Sequence, residues 1–180
     1  AEDALPANPD QMVLWPHDRP THIISVNEEG SDKPALIKID LKTGKATTIA
    51  TGLDDGDPVR VTPWGTVLFG EEAGNTGAMY EILDPLGVEG ATIDRTTGAS
   101  SSPKIVRRDA LGFNSFEGLA ILPNGVVYYG NELSANAGAD AGAYYKFVPT
   151  TPWAGGAPIA SLDQSPLAAG SVFALRVGTS

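Results

Sequence analysis

Three features of the sequence predict an all-β chain of antiparallel hairpins. Apolar and polar residues alternate with period two in its clearest segments, 21 Gly and 14 Pro punctuate them, and no apolar 3.6-residue pattern persists long enough for a helix. At 180 residues the chain is long enough for one domain with a sizeable core, read here as a single partial domain over 1–180. No apolar run approaches the ~20 residues of a membrane span.

In chain order, residues 1–20 read as an extended N-terminal segment. Its start, AEDALPANPD, resembles a mature terminus left by a signal peptidase, so a periplasmic or extracellular location is expected. His17 and His22 flank the Pro-rich part of this segment and read as ordinary structural residues. HIISVN, His22 to Asn27, reads as a strand, and EEGSDKP as a polar loop. In ALIKIDLKTGKATTIA, Ile37, Ile39 and Leu41 fall on one face and Lys38, Asp40 and Lys42 on the other. Thr43 and Gly44 supply the turn of this hairpin.

Two longer phrases then echo each other: DPVRVTPWGTVLFGEE from Asp57 and EGLAILPNGVVYYGNE from Glu117. Both open on an acid, turn at Pro-x-Gly and close on Gly-x-Glu. GAMYEI and GAYYKF extend the echo, giving repeat units at about 57–82 and 117–147. The period of about 60 exceeds the roughly 40–50 residues of a propeller blade. The surplus falls in loops such as DRTTGASSSPK. The expectation is a partial β-propeller of about three antiparallel blades, ending on a strand from Ser171 to Val177. Trp64 is expected to pack at its turn, and Tyr128, Tyr129, Tyr144 and Tyr145 in the core and across strands.

A Pro-x-Gly hairpin brings its two ends together, so Asp57 is expected to face Glu72, and Glu117 to face Glu132. If neighbouring units share a central mouth, Asp57, Glu71, Glu72, Glu117 and Glu132 converge there, with Asn131 offering an amide oxygen. Two like charges ~4 Å apart repel by about 4 kcal/mol at an effective dielectric of ~20, so such a cluster raises its pKa values or binds cations. Oxygen donors without thiolates suit Ca²⁺ best, Mg²⁺ or Mn²⁺ next, and Fe³⁺ as a hard ion. The acids also have a plainer reading, as solvated strand ends.

The chain carries a formal charge of -10 and no cysteine. That charge repels phosphate backbones and anionic lipid, so nucleic acid and membrane surfaces are not expected partners. Disulfides and thiolate-bound metals are excluded. No Gly-x-Ser-x-Gly elbow, phosphate-binding loop or dinucleotide fingerprint is present.

TPWGTVLFGEE, FEGLAI, GVVYYGNE and YYKFVP, taken in order and spacing from about Gly52 to Val177, resemble the PhoX-type alkaline phosphatase family. The resemblance implies a secreted β-propeller whose axial carboxylates hold calcium and iron and which hydrolyses phosphomonoesters. It makes Glu71, Glu72, Glu117 and Glu132 the metal-ligand candidates. Gly70 stands where the family has an iron-binding cysteine, and Phe116 where many relatives have histidine. The chain spans about half of the family pattern, so the remainder of the propeller is expected from a second chain, a cleaved fragment or another copy. Two other functions compete with a phosphohydrolase: a non-catalytic metal-stabilised propeller used for binding or surface assembly, and a gluconolactonase-like lactonase with one divalent ion.

Overall fold

Short runs of β-branched and aromatic residues, cut by Gly, Pro and Asp, fold as strands throughout. The computed structural model describes residues 7–132 and 142–175 and contains thirteen strands. They are β1 (Pro9–Trp15), β2 (His22–Asn27), β3 (Pro34–Asp40), β4 (Ala46–Thr51), β5 (Gly56–Val61), β6 (Val67–Glu71) and β7 (Met79–Ile82). The others are β8 (Ala91–Thr92), β9 (Ile105–Arg107), β10 (Phe116–Ile121), β11 (Val127–Asn131), β12 (Tyr144–Pro149) and β13 (Gly170–Ala174). Among the described residues the helical segments are single 3-10 turns, as the lack of 3.6-residue periodicity predicts.

The strands form three sheets: β1-β2-β3-β4-β8, β5-β6-β7-β9 and β10-β11-β12-β13. Each contains a four-stranded antiparallel run, and β8 crosses to pair in parallel with β4. The architecture is therefore all-β and antiparallel in its main run. Among the described residues the three sheets do not close into a ring.

The second sheet lies between the other two. Along β6, Val67 and Phe69 face the first sheet, sharing a core with Ile24, Val26, Leu36, Ile49 and Tyr80. Leu68 points the other way, toward Trp64, Met79, Phe116, Tyr129 and Phe147. A strand buried on both faces loses the polar half of its alternation, which is why VLFGE reads as continuous. The first strands of the sheets are also neighbours, β5 packing against both β1 and β10.

Both Pro-x-Gly turns form as the sequence predicts. Gly65 donates to Thr62 O at 3.1 Å and Gly125 to Leu122 O at 2.9 Å, with φ of 83° and 88°. A Cβ there would meet Pro158 at 2.6 Å or Pro166 at 2.9 Å, so the segment after β12 seats on both turns and only glycine fits. The hairpin of β3 and β4 likewise turns at Gly44, φ 72°.

Four expectations change. Residues 9–15 of the N-terminal segment are a strand paired with β2. Lys38 is buried: its ammonium lies 2.8 Å from Leu86 O, 3.1 Å from Val88 O and 3.0 Å from Glu89, so the chain entering β8 covers the expected polar face of β3 at this residue. Tyr129 stacks on Tyr145 at 5.6 Å as expected, but Tyr144 is 69% exposed. The last strand is described as Gly170–Ala174; residues 176 and 177 of its expected span lie outside the described residues, as do 133–141 of the second repeat unit and residues 1–6.

Candidate functional site at the shared end of the sheets

The two-copy repeat of the sequence has a third member. Each sheet opens with an acid at the second position of its first strand: Asp10 in β1, Asp57 in β5 and Glu117 in β10. In each, the ladder slips by one residue at that acid, between Pro9 and Met12, Gly56 and Val59, and Phe116 and Leu119. An extra residue at the same place in three strands bends each one where its acid stands.

A second triplet of acids follows the second strands. Glu28, Glu72 and Glu132 come directly after β2, β6 and β11, and each amide is held in the same way. Glu28 N donates to Asn8 O at 3.0 Å, Glu72 N to Asp55 O at 2.7 Å and Glu132 N to Ser115 O at 2.9 Å. The backbone therefore sets all three glutamates at one end of the molecule, whatever their side chains do. A bridge between Glu72 and Ser115 ties the second triplet across two sheets.

The bulges correct the expected pairing of acids. Gly56 pairs with Glu71 and Phe116 with Asn131, so Asp55 and Ser115 lie opposite Glu72 and Glu132, and Asp57 and Glu117 stand two residues further into the strand. The acids still interact. Asp57 has Asp10 and Glu117 beside it, Glu117 has Glu132, and Glu72 has Glu132, Glu117 and Glu28.

Asp57 is the centre of this group. It is 1% exposed; Oδ1 accepts from Gln11 Nε2 at 2.7 Å, and Oδ2 has no donor. Burial, then the neighbouring Asp10 and Glu117 carboxyls, push its pKa up to about 10. Glu117 is held low by hydrogen bonds from the Asp57 carboxyl and the Gly118 amide, whereas its hydrogen bond with Glu132, and then its charge, push Glu132 up. Burial and the surrounding acids raise Glu72. Arg60 braces the inner strands, donating to Gln11 Oε1 at 2.6 Å and Leu119 O at 3.2 Å. A cavity of about 400 Å³ opens beside Glu117, Asn131 and Glu132.

Glu71 and Asn131 occupy equivalent places but do not face this group with free oxygens. Glu71 is fully buried, accepting from Asp54 N at 3.1 Å, Ala78 N at 3.0 Å and Arg95 Nε at 2.5 Å. Burial raises its pKa, and Arg95 and the two amides pull it back. Asn131 Oδ1 accepts from Ser115 N at 3.1 Å. Both side chains fasten the start of a first strand to the end of the second. Sequence reasoning missed Asp10 and Glu28, although the Asn-Glu after HIISV matches the Asn-Glu after VYYG.

The oxygen-only donor set and the orphaned Asp57 Oδ2 fit a hard cation such as Ca²⁺. Among the described residues no group of three or more such side chains stands in coordinating geometry. The iron-thiolate ligand that the resemblance implies is missing from this sequence, which has no cysteine. A Cβ at Gly70 would lie 2.2 Å from Met79 Sδ and 3.3 Å from Pro58 Cγ, so packed side chains fill that space.

Comparison with models of known protein families and with curated proteins finds no match to this chain.

Proposed function

We propose that the three sheets are consecutive blades of an exported β-propeller and that the acids at their shared end hold calcium in the service of phosphomonoester hydrolysis. The observation that carries this reading is the recurrence in all three sheets of a bulged acid and an amide-anchored glutamate, grouped around a buried carboxyl oxygen that lacks a donor. Asp10, Asp57, Glu117, Glu28, Glu72 and Glu132 would hold the ion. When bound, calcium offsets their charge and gives phosphate oxygens a positive anchor. Arg60 and Gln11 keep the inner strands in register, and Asp57 keeps or releases a proton according to whether a cation is beside it.

The rest of such a propeller would cover the outer faces of the first and third sheets. Met12 and Leu14 are 65% and 49% exposed on one, and Tyr144 and Phe173 69% and 54% on the other. Apolar residues grouped on a sheet face favour a further sheet against them.

The test is release of phosphate from p-nitrophenyl phosphate by the full-length protein supplied with calcium and iron, beside calcium titration by calorimetry. Turnover that chelation abolishes supports the reading; intact calcium binding without turnover removes the enzyme. Met79 packing in the place of a thiolate ligand favours that second outcome, a metal-stabilised propeller without catalysis.

A further inference from the structure

Away from the acids, a cavity of about 460 Å³ is lined by Asn75, Thr76, Arg95, Thr96, Arg107 and Phe113, sharing no residue with the cavity at Glu117. It gathers two of the 12 basic side chains of a chain whose net charge is -10. Both guanidiniums are held from behind. Arg95 gives Nε to Glu71 at 2.5 Å and Nη1 to Asp54 at 3.3 Å. Arg107 gives Nε to Asp109 at 2.6 Å and Nη1 to Arg95 O at 2.9 Å.

Their remaining nitrogens are poorly served. Among the described residues Arg95 Nη2 reaches the Thr76 hydroxyl at 3.5 Å and Arg107 Nη2 reaches Asp109 Oδ2, also at 3.5 Å, with the Tyr80 hydroxyl beside the Arg107 guanidinium. A guanidinium N–H with an acceptor that far away is available to a better one. Arg107 is further fixed by its stack on the Phe113 ring, 5.3 Å to the centroid, and by Gly98. A Cβ at Gly98 would fall 2.4 Å from the guanidinium carbon, so the missing side chain is what lets Arg107 lie there. The Tyr80 hydroxyl is buried with no hydrogen bond of good geometry, and Glu71, Arg107 and Arg95 are its charged neighbours, Arg107 the one within its reach. Preset guanidinium forks with unsatisfied outer N–H groups recognise oxyanions.

We propose that this cavity binds a phosphate group, held between the Nη2 groups of Arg95 and Arg107 with the Thr76 and Thr96 hydroxyls at its rim, independently of any metal at the acids. The exposed face of Phe113 offers a surface to an organic group if the phosphate is an ester.

The test is titration of inorganic phosphate and of phenyl phosphate into the full chain, stripped of metal by chelation, followed by calorimetry and phosphorus NMR. The expected Kd is about 1 mM or tighter. Arg107→Gln removes a charge-assisted contact and should weaken binding by about 10- to 100-fold. Thr96→Asp, on an exposed rim position, should do the same by like-charge repulsion while leaving the fold intact. Preference for phenyl phosphate that Phe113→Ala abolishes identifies an ester as the ligand; equal binding of both identifies free phosphate. Absence of binding up to about 20 mM overturns the proposal. So does binding that survives both substitutions, or that chelation removes, since the phosphate would then sit with the metal.

Discussion

Gln11 donates from Nε2 to Oδ1 of Asp57 at 2.7 Å, joining the first strands of two sheets, while Oδ2 of the same carboxyl is buried with no donor. The folded protein therefore favours the protonated acid. Its pKa rises from 3.8 to about 10, so between those values the native state binds more protons than the unfolded chain. Stability from this group is complete below pH 3.8 and is lost as pH rises toward 10. In chelated protein the melting temperature should fall over that window, and Asp57→Asn should flatten the decline. Calorimetric scans across pH check this; an unchanged slope in the variant refutes it.

Calcium binds deprotonated carboxylates, so its stabilising effect should grow with pH. Glu72→Gln, Glu117→Gln and Glu28→Gln should each lower calcium affinity by about tenfold or more, measured by titration calorimetry. Glu28 is the discriminating case, since only the threefold arrangement places it with the other two.

Glu71→Gln should behave differently. Its loss leaves Arg95 with a weakened partner and costs about 1.5–3 kcal/mol of stability, read from denaturant unfolding. The pH dependence of metal affinity should stay as in the parent protein.

A second buried network ties the middle sheet to the segment before β13. Glu81 accepts from Arg108 at 2.6 Å, Trp64 at 2.6 Å, Thr66 at 2.5 Å and Ser165 at 3.1 Å, and Arg108 also donates to Leu162 O at 2.7 Å. Arg108→Met strands the buried Glu81 carboxylate and should cost about 3–5 kcal/mol. Tryptophan fluorescence should report the loss directly, because the Trp64 indole shares the acid.

Gly70→Cys introduces the residue that the resemblance to the PhoX-type pattern implies at this place. Met79 Sδ fills the space, so the variant should lose about 1–3 kcal/mol and acquire no iron-thiolate absorption. Pairing it with Met79→Ala should recover part of the stability.

The hairpins, their glycine turns and the double acid phrase were legible because each depends on residues close together in sequence. Gly65 and Gly125 mark their turns by a backbone angle that few other residues adopt. The third copy was hidden because its two strands are joined by the Pro-rich stretch from Pro16 to Pro20 instead of a Pro-x-Gly turn. Glu71 reads in the sequence as a ligand candidate, and its ion pair is not legible there because Arg95 reaches it from DRTTGASSSPK, a segment that reads as surface loop. The one-residue slips that re-aim Asp57 and Glu117 leave no compositional trace, since a bulge is a property of paired strands. Lys38 was misplaced for a similar reason: its cover comes from carbonyls at Leu86 and Val88.

The recurring extra residue in β1, β5 and β10 separates aim from identity. Direction is written into the ladder of main-chain bonds, so exchanging aspartate, glutamate or an amide at these corners changes the group presented without asking the scaffold to refold. Such a framework can be retuned by point changes, one corner at a time.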